Sequence, residues 1–328
     1  ANASRLMLTI PETLTIAQTH HQAGRFQEAE ALYRQILQAQ PDHPDALHLL
    51  GVIAHQVGHH EIAVRHISRA IAGNPHVAEF HNNIGEAYRA QGRLAEAQDH
   101  YLQAIALKPA YAEAYNNLGN IRKEQGRPEE AVACYQQALA RKPDLPEAHN
   151  NLGIVLKEQG RLDDAIGHYR QVLTFKPTYA EAHNNLGTAL QEQGELEEAM
   201  AHYRQTLALN PQSAEAYNNL GGAFHEQGDM EEAVRHYRRA IELKPAYAEA
   251  YSNLGAALHA QGKPEEAVAS YRKALTFKPD YAEACNNLGN VLRAQGKLEE
   301  AVACYRQALI LKPGYAKAEN QLMYQLQN

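Results

Sequence analysis

The 328-residue sequence has no tryptophan, only five phenylalanines and only three cysteines. Three cysteines without CxxC spacing do not form the disulfide framework of a small secreted domain, and they favour reduced thiols and a cytoplasmic location. No apolar run approaches the ~20 residues that a membrane-spanning helix needs. The first ten residues also lack the basic start and the long apolar stretch of a signal peptide. The sequence therefore predicts neither a membrane segment nor a secretion signal in this chain.

An excess of positive charge is missing as well. Lysine and arginine number 31 against 38 aspartates and glutamates, and the net charge of -7 gives no general attraction to nucleic acid or to an anionic membrane. The nucleotide-binding, hydrolase and metalloprotease motifs GxGxxG, P-loop, GxSxG and HExxH do not occur. Acidic pairs such as Glu129 and Glu130 recur at predicted helix starts and do not converge on one pocket. We therefore predict that the chain is not an enzyme by itself and needs no cofactor.

What the sequence does contain is a 34-residue repeat. The segment Tyr115–Gly119 reads YNNLG, and near-copies of it return at this interval from Gly51 to Gly289. A closing proline keeps the same interval, so nine of the fourteen prolines share one phase. These prolines are Pro41, Pro75, Pro109, Pro143, Pro177, Pro211, Pro245, Pro279 and Pro313. Self-similarity at a fixed period of a few tens of residues indicates a stacked solenoid rather than one central core.

Each repeat predicts two helices. In residues 112–145 the first helix ends before Gly126, and the second runs from Glu129 to Ala140 and is closed by Pro143. Small residues and a central tyrosine at helical spacing predict close packing of the two helices. We therefore predict an all-α fold with a lead-in at residues 1–9, nine repeats over residues 10–315 and a capping helix at residues 316–328.

This pattern resembles the tetratricopeptide-repeat family, because a Leu-Gly pair, a small alanine, an aromatic residue and a final proline recur over nine 34-residue units. The resemblance implies helix-turn-helix units stacked into a right-handed superhelix, with the first helix of each unit lining a concave groove. It also implies that the ligands are extended peptides or partner helices held in that groove. Dimerisation through an exposed apolar face stays open.

The Asn-Asn-Leu-Gly runs and the segment Asp42–Gly51 are similar to the repeats that precede the catalytic half of O-linked N-acetylglucosamine transferases, including bacterial ones. The resemblance implies a domain that recruits substrates or partners. The repeats occupy the whole chain, so the sugar-transferring half is absent from it. The alternative is a stand-alone scaffold that assembles complexes through its convex face or its ends.

The second asparagine of each run is the main candidate for binding. The family resemblance implies that this position faces the groove. Its amide offers a donor and an acceptor to a peptide backbone, and one amide per repeat would match about every third residue of an extended chain. The candidates are Asn83, Asn117, Asn151, Asn185, Asn219, Asn253 and Asn287. A structural role as a bridge between adjacent helices is the alternative, and the first asparagine of each run is given a lesser role.

A mostly basic row follows two turns later and is predicted to share the groove. Its members are Arg89, Lys123, Lys157, His225, His259 and Arg293. Such a row would select among peptides, although it also fits a solvated helix face. The eighteen histidines raise the question of a metal site, but copies of one position lie roughly 8 to 10 Å apart in adjacent repeats, too far to share an ion. We predict no metal, and the uniform asparagines and net acidity argue against RNA as the partner.

Overall fold

The computed structural model describes residues 8–327, and throughout that range the regular structure consists of α-helices. The all-helical repeat fold predicted from the sequence is confirmed. The chain divides after Gly160 into two compact units. Unit 1 contains α1 (Ile10–Gln22), α2 (Phe26–Ala39), α3 (Pro44–Gln56), α4 (His60–Gly73), α5 (Ala78–Ala90), α6 (Leu94–Leu107), α7 (Ala112–Glu124), α8 (Pro128–Arg141) and α9 (Pro146–Glu158).

Unit 2 begins at Arg161. It contains α10 (Leu162–Phe175), α11 (Ala180–Glu192), α12 (Leu196–Leu209), α13 (Ala214–Gln227), α14 (Met230–Leu243), α15 (Ala248–Ala260), α16 (Pro264–Phe277), α17 (Ala282–Ala294), α18 (Leu298–Leu311) and α19 (Ala316–Gln327). Of the predicted lead-in, residues 1–7 lie outside the described residues. Of the predicted capping helix, only Asn328 lies outside them.

The turn inside a repeat depends on one glycine. Gly126, between α7 and α8, has a φ of +70°, a left-handed conformation that residues with a Cβ rarely adopt. Pro128 then occupies the first turn of α8, where its missing N–H leaves no helical hydrogen bond unmade. The phased glycine therefore fixes the reversal of the chain, and the proline helps to start the second helix.

Each second helix packs on its first helix through a tyrosine that meets a glycine. Tyr135 of α8 is fully buried, and a Cβ built on Gly119 of α7 would lie only 2.5 Å from the Cε1 atom of its ring. Gly85 faces Tyr101 in the same way, at 2.7 Å. The ring thus occupies the space that the glycine leaves, and the packing role predicted for the tyrosines is confirmed.

The first helices of successive repeats also contact one another. In unit 1 these neighbours are α3, α5, α7 and α9, and in unit 2 they are α11, α13, α15 and α17. We call the surface that these helices share within each unit the first-helix face. It carries both rows of residues that the sequence singled out for binding.

Two of the buried tyrosines differ in one hydrogen bond, and this difference leads to a prediction. The Tyr135 hydroxyl donates to Asn120 Oδ1 at 2.8 Å, whereas the buried Tyr101 hydroxyl has no hydrogen-bond partner among residues 8–327. We expect Tyr135→Phe to lower the free energy of unfolding by about 1 kcal/mol, because a hydrogen bond is lost. Tyr101→Phe removes an unsatisfied hydroxyl and should leave stability equal or slightly higher. Urea unfolding of the two variants checks this, and equal losses in both would contradict it.

Candidate functional site

The two asparagines of each run lie in different environments. The first is buried, with between 1 and 9% of its surface exposed, at Asn82, Asn116, Asn150, Asn184, Asn218 and Asn286. The second is only partly buried, at Asn83, Asn117, Asn151, Asn185, Asn219, Asn253 and Asn287. One residue along a helix turns the side chain by about 100°, which moves it from between the helices to the edge of the first-helix face.

At four positions the second asparagine donates a hydrogen bond to the first asparagine of the preceding repeat. In unit 1, Asn117 Nδ2 lies 3.1 Å from Asn82 Oδ1, and Asn151 Nδ2 lies 3.0 Å from Asn116 Oδ1. The amides therefore link successive first helices. The bridge between adjacent helices, given above as the alternative role of the second asparagine, is therefore confirmed at these two positions. The first asparagine, for which the sequence predicts a lesser role, is the acceptor of this bridge, and the strict recurrence of both asparagines was a signal for their pairing.

The same bond occurs in unit 2 and leaves part of the second asparagine unused. Asn219 Nδ2 lies 3.1 Å from Asn184 Oδ1, and Asn253 Nδ2 lies 3.0 Å from Asn218 Oδ1. Among the described residues, neither Asn219 nor Asn253 makes another hydrogen bond. Each therefore keeps its carbonyl oxygen and one N–H for a ligand, which is the donor and acceptor pair that a peptide unit requires.

Asn117 in unit 1 is more fully engaged. Besides its bond to Asn82, its Nδ2 lies 3.0 Å from Glu86 Oε1, so both of its N–H groups have acceptors. Its carbonyl oxygen receives only a long contact of 3.5 Å from Asn116 Nδ2. Asn117 is therefore arranged to accept rather than to donate.

A histidine replaces the first asparagine at the start of the row. Asn83 Nδ2 lies 2.9 Å from His48 Nε2, and because the amide nitrogen can only donate, Nε2 must be the unprotonated acceptor. The ring lies against Phe80 with centroids 4.4 Å apart, and burial lowers the pKa of His48 to about 4. A neutral imidazole thus takes the place of the asparagine oxygen. In α17, the Asn286 Oδ1 atom is buried and has no hydrogen-bond partner in the described part of the chain.

One member of the basic row forms an ion pair with a glutamate of the next repeat. Arg89 Nη2 lies 2.6 Å from Glu124 Oε1, and Gln191 donates to Glu226 in the corresponding place. Arg89 and Asn117 line one depression, so the structure brings a member of each predicted row together there. The other predicted basic residues lie on the first helices α7, α9, α13, α15 and α17, as Lys123, Lys157, His225, His259 and Arg293.

Two histidines of second helices, His100 and His202, each pair with a histidine of the preceding first helix. His81 Nε2 lies 3.1 Å from the Pro75 carbonyl, which can only accept, so His81 Nδ1 is left as the acceptor for the Nδ1–H of His100 at 3.1 Å. His183 and His202 repeat this arrangement. In residues 8–327 no group of three or more His, Cys, Asp or Glu side chains could hold a metal ion.

The three thiols are poor nucleophiles. Burial raises the pKa of the Cys134 and Cys285 thiols, and burial together with the neighbouring Cys285 raises the pKa of Cys304 to about 11. A thiol with a raised pKa stays protonated at neutral pH and reacts slowly. The cysteines therefore add no reactive group to the first-helix face.

Two kinds of family model match the sequence of this chain. The model of the Cilia and flagella-associated protein 70 C-terminal domain matches residues 8–216. Tetratricopeptide-repeat models match residues 202–235, 221–262, 257–292 and 282–315. The chain belongs to the tetratricopeptide-repeat family. It is a tetratricopeptide-repeat module of the kind that mediates protein–protein interactions.

Solved tetratricopeptide-repeat structures share the fold. The Cut9–Hcn1 hetero-tetramer of APC/C matches with a TM-score of 0.69 and 19% identity over 85% of this chain, which spans 55% of that chain. A tetratricopeptide-repeat protein from Parabacteroides merdae gives a TM-score of 0.61 and 21% identity over 76% of this chain and 98% of its own. PilF of Pseudomonas aeruginosa matches with a TM-score of 0.57 and 20% identity, over 66% of this chain and 97% of its own. At these identities the likeness concerns the fold.

One further observation concerns membranes. Among the described helices of this tetratricopeptide-repeat chain, none is both long enough and apolar enough to cross a bilayer.

Proposed function

We propose that this tetratricopeptide-repeat module binds extended peptide segments of partner proteins on its first-helix face, through the second asparagine of each repeat. The observation that carries the proposal is the unused hydrogen-bonding capacity of Asn219 and Asn253, whose oxygens and second N–H groups have no partner in the described part of the chain. The bond to the preceding repeat fixes the orientation of each amide before a ligand arrives. Such preorganisation reduces the entropy lost on binding.

The contacts favour recognition of the peptide backbone. An amide that both donates and accepts can pair with any peptide unit except at proline, whatever the side chain. Neighbouring helices pack at roughly 8 to 10 Å, close to the length of three extended residues, so successive asparagines can reach every third peptide unit. The module is therefore proposed to tolerate many ligand sequences.

Removing these amides should weaken peptide binding. We expect the double variant Asn219→Ala, Asn253→Ala to bind a random 15-residue peptide library about tenfold or more weakly, since each lost hydrogen bond contributes about 0.5 to 1.5 kcal/mol. The measurement is retention of the pooled library on immobilised protein, followed by titration of selected peptides.

A matched control removes two amides elsewhere. Gln205 of α12 and Gln307 of α18 are exposed on second helices, and Gln205→Ala with Gln307→Ala should leave binding unchanged. Circular dichroism of both variants establishes that the helices are intact. Undiminished binding by the asparagine variant with full helicity would remove the proposed role of the asparagines.

The alternative is a scaffold that assembles complexes through its second helices or its ends. The exposed Phe175 of α10 and Phe277 of α16 occupy the same repeat position on second helices and are the side chains that favour it. Under this alternative, a protein partner would be lost on Phe277→Ser and retained by the asparagine variant. The two functions thus predict opposite outcomes for the same pair of variants.

The asparagine runs also support a finer proposal, that the module recruits substrates for a cytoplasmic transferase resembling the O-linked N-acetylglucosamine enzymes. This proposal is tested by reading the gene sequence beyond the codon for Asn328. A reading frame that continues beyond Asn328 into a glycosyltransferase domain would support this proposal, and an immediate stop codon would contradict it.

A further inference from the structure

One glutamate on the first-helix face of unit 1 stands apart from its counterparts in other repeats. Glu86 of α5 is partly buried at a position where the neighbouring repeats carry Val52 and Asn120. The later copies of this position are Ile154, Thr188, Gly222, Ala256 and Asn290. An acidic residue therefore occurs at this position in one repeat alone, which singles it out from the uniform asparagine row.

The carboxylate is held by one of its two oxygens. Asn117 Nδ2 lies 3.0 Å and Asn82 Nδ2 lies 3.3 Å from Glu86 Oε1. The other oxygen, Oε2, has no hydrogen-bond partner in the part of the chain that the structure describes. The two amides fix the carboxylate, so its free oxygen is presented to a ligand at little further cost in side-chain entropy.

Glu86 lines a depression of about 450 Å³ on the first-helix face. Glu86, Arg89, Asn117 and Glu124 line it together with His55 of α3. This volume accommodates a long side chain of a peptide. The depression lies wholly within unit 1, beside the asparagine that we propose as a peptide contact.

The charges around the depression do not neutralise Glu86. The Arg89 guanidinium is engaged with Glu124 at 2.6 Å, so that these two charges offset each other. Burial and the nearby His60 ring lower the pKa of His55, which is therefore neutral at pH 7. Burial raises the pKa of the Glu86 carboxyl, whereas the Asn117 and Asn82 amides and the nearby Arg89 lower it, so the ionised form gains from a further cation close by.

We propose that Glu86 forms a cation subsite, which receives a protonated amine or a guanidinium of the peptide bound on the first-helix face. The subsite rests on the proposed function and adds a preference that backbone contacts cannot supply. A hydrogen bond between a carboxylate and a cationic donor is roughly twice as strong as a neutral one. The preference of the module for cationic residues should therefore depend on this one side chain.

The test uses the random 15-residue peptide library with acetylated N-termini, selected separately on the intact chain, on Glu86→Gln and on Glu158→Gln. Glutamine keeps the oxygen that accepts from Asn82 and Asn117, so the variant preserves the local hydrogen bonds and removes only the charge. Glu158 of α9 is exposed and serves as the matched control. We expect lysine and arginine to be enriched at one position of the peptides on the intact chain and on Glu158→Gln, and not on Glu86→Gln.

A single selected peptide sharpens the result. Replacing its lysine by norleucine, or its arginine by citrulline, should weaken binding to the intact chain about tenfold and leave binding to Glu86→Gln nearly unchanged. A second library with free N-termini separates the sources of the cation. If cationic peptides are enriched on the intact chain only from that library, the cation is the terminal ammonium. If they are enriched from both libraries, the cation is a lysine or arginine side chain.

The outcomes separate this subsite from peptide binding in general. Peptides retained through Asn219 and Asn253 without an excess of cationic residues, or with the same excess on Glu86→Gln, would overturn the subsite and leave the proposed function standing. Retention of no peptide by the intact chain would overturn both.

Discussion

Gly119→Ala is expected to lower the free energy of unfolding by about 1 to 3 kcal/mol, although alanine is the better helix former. The added Cβ would meet three atoms of the Tyr135 ring, at 2.5, 2.8 and 3.0 Å. The ring is fully buried and rigid, so it cannot move aside without displacing its neighbours. Thermal or urea unfolding measures the loss.

The cause of this loss can be tested by removing the ring. Tyr135→Ala should itself cost about 3 to 5 kcal/mol, because it leaves a cavity between the two helices. In that background Gly119→Ala no longer meets the ring, and it should become neutral or stabilising by up to about 1 kcal/mol. The loss of unfolding free energy in the double variant should therefore be smaller than the sum of the losses in the two single variants.

A matched glycine provides the control. Gly167 lies within α10, and a Cβ built on it meets nothing within 4 Å. Gly167→Ala should thus stabilise the chain by up to about 1 kcal/mol. If Gly119→Ala were as harmless as Gly167→Ala, the close approach of α7 and α8 would not be the reason for the repeated glycine.

The sequence predicted the fold well, because the features that repeat are those that local physics requires. Gly126 recurs because the turn needs a positive φ, and Gly119 recurs because Tyr135 occupies the space beside it. Each requirement involves residues that are close in sequence, so it selects the same residue type at the same position of the repeats. Periodicity alone is then sufficient to identify helix pairs and their contact side chains.

The site was predicted less completely, because its properties depend on contacts between repeats. Asn116 and Asn117 look alike in sequence, but Asn116 is buried and accepts from Asn151 in the next repeat. Periodicity shows that a residue recurs and does not show where its hydrogen bonds go. Glu86 left no periodic signal, since its role depends on departing from the repeat.

Acidification is expected to weaken the start of the asparagine row through His48. In the folded chain burial lowers its pKa from 6.5 to about 4, so the unfolded chain takes up the proton first as the pH falls. Stability is therefore complete above pH 6.5 and is lost as the pH falls toward 4. The protonated ring would also direct an Nε2–H at the Asn83 amide, which lies at 2.9 Å and can only donate.

His48→Asn provides the decisive comparison, because it restores the residue that the later repeats use and does not titrate. We expect the intact chain to lose about 2 kcal/mol more of its unfolding free energy between pH 7 and pH 5 than this variant does. The control is His76→Asn, at an exposed histidine in the turn before α5, which should leave the pH dependence as it was. If His48→Asn lost as much stability on acidification as the intact chain, the neutral acceptor at the start of the row would not be the acid-sensitive contact. Other histidines whose pKa burial lowers, such as the partly buried His100 and His202, would then have to account for the loss.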